Sequence, residues 1–152
     1  MLIARILVMR YLRRSRRLIS RQMLSRSQEY IDSWQESTVK PKDFYEYHAK
    51  DKPKKYFYAI DLQGRVFLEE TLPKNIATSI KSASFLDFFF SNLRRSSERD
   101  LKFLPKDCRR HYPFVSLCGV ERSFLRPADS AVVFHTIEKS VDGSTKLWYG
   151  GS

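Results

Sequence analysis

The chain has 152 residues, 42% of them hydrophobic, and no uninterrupted apolar run of the length, about eighteen residues, needed to cross a bilayer. Its formal charge of +11 is concentrated at one end: residues 1–28 hold eight arginines, no lysine and no acid, leaving 20 basic against 17 acidic residues, or +3, for the rest. That distribution removes the global charge argument for nucleic-acid binding, and two cysteines argue against a secreted disulfide scaffold and read as free thiols.

Residues 1–27 have the composition of a mitochondrial presequence: arginine-rich, serine-bearing and free of acid. As a helix they are amphipathic, with Arg10, Arg13, Arg14, Arg17 and Arg21 on one stripe and Val8, Leu12, Ile19 and Met23 on another. The expectation is a mitochondrial, matrix-directed protein whose leader engages the import machinery; a retained basic arm on a membrane surface or RNA is the alternative. A secretory signal fits worse, because arginines interrupt its apolar centre.

Residues 28–55 are polar and mixed in charge, with Pro41 and Pro53 as breakers, and read as a leader with a short helix around Tyr30 to Trp34. The next stretch, "KKYFYAIDLQGRVFLEE", predicts a hairpin turning at Asp61-Leu62-Gln63-Gly64, with Tyr56, Tyr58 and Ile60 on one face and Phe57 and Ala59 on the other. Ile76, Ile80 and Ala83 then keep helical spacing. Phe85, Phe88, Phe89 and Leu93 form a second apolar stripe, with Ser84 as N-cap and Arg94 and Arg95 at the C-terminal end. "SSERDLKFLPKDCRRH" reads as a loop. Strands follow at Phe114 to Cys118, Ala131 to Ile137 and Thr145 to Tyr149, the last two joined by a turn at Val141-Asp142-Gly143-Ser144.

The expected fold is therefore α+β: residues 56–149 as a single domain with an antiparallel sheet of about five strands and two short helices on one face, in chain order β-β-α-α-β-β-β. Five glycines supply neither a P-loop nor a dinucleotide-binding pattern, and no cofactor is expected.

Three blocks, "YFYAIDLQGRVFLEE", "FLDFFFSNLR" and "PFVSLCGVERSFLRPADSAVVF", resemble the uncharacterised protein family 0598, over Tyr56 to about Gly151. The resemblance implies a mitochondrial address and carries no activity, cofactor or catalytic residue to this chain. Members of that family continue beyond the segment similar to "KLWYGGS", so the expectation is either a short isoform or incomplete gene model, or a sheet without its last strands, and in both cases a poorly covered strand at Thr145 to Tyr149.

Four candidate chemistries arise from the residues. Cys108, His111, Cys118 and His135 are zinc-ligand types, but only Cys108 and His111 have half-site spacing, and no metal is expected. Cys118 is the candidate nucleophile, needing a histidine or a cation nearby, and is otherwise a small thiol packed at the end of a strand. Glu121, Arg122, Arg126 and Asp129 are expected to pair with one another and pin a turn. The alternative is that Arg122 and Arg126 converge on an anionic ligand, with Glu121 beside them. Basic clusters at Lys50 to Lys55 and Arg94 to Arg110 flank aromatic segments and make RNA a further possible partner. The reading that combines these is a binding or assembly module with an unknown protein partner or small anionic ligand, rather than an enzyme.

Overall fold

The structure, a computed structural model, describes residues 21–41 and 53–149, with side chains from Gln28 onward. Most of the expected presequence and the lysines at 42, 50 and 52 lie outside the described residues. The chain divides into two units, Met1–Asp32 and Ser33–Ser152, and helix α1 comprises Arg21–Glu36. In the first unit, Gln28 Nε2 donates to Asp32 Oδ1 across one helical turn at 2.8 Å. The second unit carries the remaining elements.

Five strands form its sheet in the order β2-β1-β5-β4-β3: β1 (Lys55–Ile60), β2 (Val66–Leu68), β3 (Leu93–Arg95), β4 (Phe114–Cys118) and β5 (Glu121–Pro127). The sheet is mixed, because β1 pairs parallel with β5 from Lys55↔Arg122 to Ile60↔Pro127, while the other pairs are antiparallel. The expected all-antiparallel sheet needs that correction. The cause is Glu121–Pro127, which reads as a charged loop yet forms the central strand.

The hairpin between β1 and β2 turns where the sequence places it. Asp61 is buried and its Oδ1 accepts from the backbone N–H of Gln63 and Arg65, while Gly64 takes φ +75°. A Cβ on Gly64 would stand 3.0 Å from Val133 Cβ, so close approach reinforces the requirement for glycine. Alternation along β1 holds as well. Tyr58 and Ile60 enter one apolar cluster with Val66, Leu86, Phe89, Phe90 and Leu125, and Phe57 enters the other with Leu104, Cys108, Tyr112, Val115 and Phe124.

Helix α2 (Ala83–Ser91) covers the first face. Its buried stripe is Leu86, Phe89 and Phe90, one residue out of step with the expected one, and Phe88 is 46% exposed. The helix stops before Leu93, so Leu93, Arg94 and Arg95 form edge strand β3 instead of a helix end. No helix forms around Ile76 and Ile80. Asn75 Oδ1 captures the N–H groups of Ala77 and Thr78 in a side-chain turn, and Ile80 N–H bonds Val66 C=O at 2.8 Å, which pulls the chain onto the sheet. The N-cap is Ser82, whose Oγ accepts from Phe85 N, so Ser84 sits inside the first turn. Ser82→Ala is expected to lower stability by about 0.5–1 kcal/mol and Ser84→Ala by less than about 0.5 kcal/mol, as urea unfolding would read.

The second face is covered by residues 34–39 and by the stretch from Ser97 to Tyr112. The latter holds helix α3 (Glu98–Leu101) and a 3-10 turn at Arg109–His111, in place of the expected loop. Beyond β5, strands β6 (Phe134–Lys139) and β7 (Thr145–Tyr149) form a separate two-stranded sheet about a turn at Gly143, φ +81°. Strand β6 starts three residues later than expected, because Ala131 is buried in the first cluster ahead of the strand. Four of the five residues of β7 are exposed; Tyr149 meets the rings of Phe90 and Phe134.

Candidate binding site

On the second face, β5 presents Arg122, Phe124 and Arg126 in alternation. Phe124 is fully buried against Phe57 and Tyr112, and each arginine pairs with a carboxylate on a different element.

Arg126 pairs with Glu69, which follows β2 and is held by its N–H to Phe57 C=O at 2.8 Å. The Nε donates to both Glu69 oxygens at 3.0 and 3.1 Å, and Nη2 donates to Oε1 at 2.8 Å. The two residues are 5% and 0% exposed. A pair so deep is held only where further groups satisfy it, since desolvating two charges costs several kcal/mol per ion. Those groups come from the start of the second unit. Arg126 Nη2 and Lys74 Nζ both donate to Ser37 C=O, at 3.2 and 2.8 Å, and Val39 N–H donates to Glu69 Oε1 at 3.2 Å. The Trp34 indole lies over the guanidinium, 4.4 Å from ring centroid to Cζ, a contact worth about 2 kcal/mol when desolvated. The Cys108 thiol completes the contacts, donating to Val39 C=O at 3.6 Å.

Trp34 sits in the last turn of α1, whose end is closed by Ser37 Oγ and N–H donating to Trp34 C=O. Residues 34–39 thus lie across the sheet as a strap gripped mainly by its backbone. Burial pushes the Lys74 amine below its ordinary pKa, against the pull of Glu69. Burial, and then the Glu69 charge, push the Tyr112 phenol far up, and its hydroxyl is buried without a hydrogen-bond partner. His111 is also lowered, first by burial, then by Arg110 and Arg126.

At the other end of β5, Asp100 is the anchor. It closes a capping box on α3, accepting at Oδ2 from Ser97 N–H at 2.8 Å and Ser97 Oγ at 2.6 Å, and it takes a two-pronged bond from Arg94 at 2.8 and 3.0 Å. Arg122 Nε stands 3.6 Å from Asp100 Oδ1 without a hydrogen bond, and its guanidinium stacks on Phe103 at 4.3 Å, with Lys55 Nζ over the same ring at 5.7 Å. Burial raises the Asp100 pKa, but the bonds from Arg94 and Ser97 outweigh it and hold the carboxyl well below the usual carboxylate range. The depressed pKa fixes the sign of the pH effect. Asp100 stabilises the fold above the ordinary carboxylate pKa, near 4, and that contribution is lost as pH falls toward the folded-state value. Acid titration of unfolding is expected to show a shallower loss below about pH 4 in Asp100→Asn than in the unaltered chain.

The expected mutual pairing of Glu121, Arg122, Arg126 and Asp129 is therefore overturned. Both arginines are taken by Asp100 and Glu69, Glu121 falls on the opposite face of β5 by alternation, and Asp129 is exposed beyond the strand. Nor do Arg122 and Arg126 converge, since four strand residues separate them by about 13 Å. Cys118 ends β4 exposed and is not the packed thiol expected of it. The buried thiol is Cys108, whose pKa is raised by burial and by Asp107. Among the described residues neither thiol is hydrogen-bonded to a histidine; His111 Nε2 accepts from Arg110 Nε instead, and His135 packs toward the Gly64 turn. Cys108, His111, Cys118 and His135 do not assemble: no cluster of three or more metal-ligand types occurs among the described residues.

Glu69, Lys74, Asp100 and Trp34 were not singled out by sequence reasoning. Asp100 carried a readable sign, the Ser-x-x-Asp capping box at Ser97, and the spacing of Leu101, Leu104 and Cys108 showed which side of that stretch is apolar. Glu69 and Lys74 carried none. No helix among the described residues is long and apolar enough to cross a membrane. No solved structure matches the chain. Residues 46–152 match the domain of unknown function DUF4505, and with more than two thirds of its length inside that match, the chain belongs to the DUF4505 family.

Proposed function

We propose that this protein is a mitochondrial, non-enzymatic binding or assembly module, delivered by residues 1–27 and built on the domain that resembles uncharacterised family 0598. The observation that carries the binding reading is the strap: Glu69, Lys74 and Arg126, the charged groups at the heart of the domain, hold polypeptide backbone. Burial raises the pKa of Cys108, which argues against that thiol as a nucleophile. Isolating the tagged full-length protein from mitochondria, sequencing its N-terminus and identifying what travels with it tests the reading. The expected result is a chain beginning near residue 27 in stable association with another protein. An intact Met1 on protein from cytosol, or RNA as the sole companion with steeply salt-dependent affinity, would contradict it.

A second reading, recognition of a small anion through Arg122, is favoured by one observation: the buried Arg122 Nε lacks an acceptor. Thermal protection by inorganic phosphate that disappears in Arg122→Met is the result it requires.

A further inference from the structure

We propose that the groove over Arg126 is a binding site for polypeptide, and that residues 34–39, the last turn of α1 and the three residues after it, fill it as a displaceable ligand supplied in cis. The proposal rests on the binding-module reading and names its ligand: a peptide with an indole followed, three residues on, by a free backbone carbonyl and then an N–H.

The groups that do the gripping are Glu69, Lys74, Cys108 and Arg126, all within the family-matched residues 46–152. The segment they grip lies before that range. Four of the contacts go to the backbone of Ser37 and Val39, and these would accept many sequences, because every residue offers the same carbonyl and all but proline the same N–H. Two strap side chains also make contact, Val39 against the second apolar cluster and Trp34 on the Arg126 guanidinium, and the indole supplies most of the selectivity. Main-chain bonds for affinity with a side-chain contact for choice is a division of labour that peptide-binding domains use.

The chemistry of the groove suits an exchange of occupants. Glu69, Lys74 and Arg126 are charged, so water can solvate them when the strap lifts, while Val39, packed against the second apolar cluster, is the part of the strap that the hydrophobic effect holds. The Tyr112 hydroxyl, fully buried, lies beside the Glu69 carboxylate at the edge of the same charged group. Because the strap is covalently attached, an added peptide must compete with an intramolecular event, and the unaltered protein should bind it weakly.

The test uses the full-length chain and a fluorescein-labelled peptide of the sequence SWQESTVKP, residues 33–41. Anisotropy titrations are expected to show saturable binding to Trp34→Ala at least tenfold tighter than to the unaltered protein, and loss of that binding when the peptide's tryptophan is replaced by alanine. No binding to a folded Trp34→Ala chain, equal binding to both chains, or equal binding of the alanine peptide would overturn the proposal. If Trp34→Ala does not fold, Val39→Pro unseats the strap by removing the N–H that Glu69 accepts, and the same outcomes apply. A protein partner found in mitochondria alongside a failed peptide titration would sink this inference while leaving the binding-module reading in place.

Discussion

Replacing Arg126 by methionine is expected to destabilise the fold by about 3–5 kcal/mol, read as a lower urea midpoint, because Glu69 would remain fully buried without its countercharge. Methionine keeps much of the aliphatic volume, so the loss reports charge and hydrogen bonding more than a cavity. The double variant Glu69→Leu/Arg126→Met removes both charges and is expected to be far less damaged than the sum of its singles, with a coupling of about 1–3 kcal/mol. Additive losses would mean that the two side chains do not act as a unit. Arg126→Lys is expected to fall between, since an ammonium cannot reproduce the forked contact to both Glu69 oxygens or the stack on Trp34.

Phe124→Ala is expected to cost about 3–5 kcal/mol, or to leave the chain unfolded, since a fully buried ring that meets Phe57 and Tyr112 leaves a cavity in the second cluster. The result also discriminates between two views of Glu121–Pro127. A surface loop would lose less than about 0.5 kcal/mol from the same change, whereas a strand paired on both sides cannot. Circular dichroism and urea unfolding of the purified variant would decide it.

The elements legible in the sequence were those whose partners are local. The hairpin at Asp61 to Gly64 declared itself through turn chemistry, and Phe114 to Cys118 and Thr145 to Tyr149 through length and apolar content. The faces of β1 followed from alternation alone. Strand β5 was illegible because its arginines resemble loop charges until their partners are known, and Glu69 lies 57 residues away from Arg126 in sequence. The parallel pairing of β1 with β5 was hidden for the same reason: it joins segments whose contact no local pattern encodes. Helix α2 was found but set one residue out of phase, because four phenylalanines within six residues support two overlapping stripes and only tertiary packing selects between them. The strap was least visible of all. Its contacts use backbone groups, which every sequence possesses, and its one distinctive residue, Trp34, sat in a stretch that composition marked as leader.

The strap's seat on Arg126 can be read directly from Trp34. The chain has two tryptophans, and Trp34 is 7% exposed against 54% for Trp148, so Trp148→Phe leaves the buried one as the sole indole. In that background a blue-shifted emission poorly quenched by acrylamide is expected, moving to the red and becoming quenchable when Glu69→Gln weakens the clasp. Emission at the wavelength of a solvated indole, freely quenched while the sheet remains folded, would contradict it.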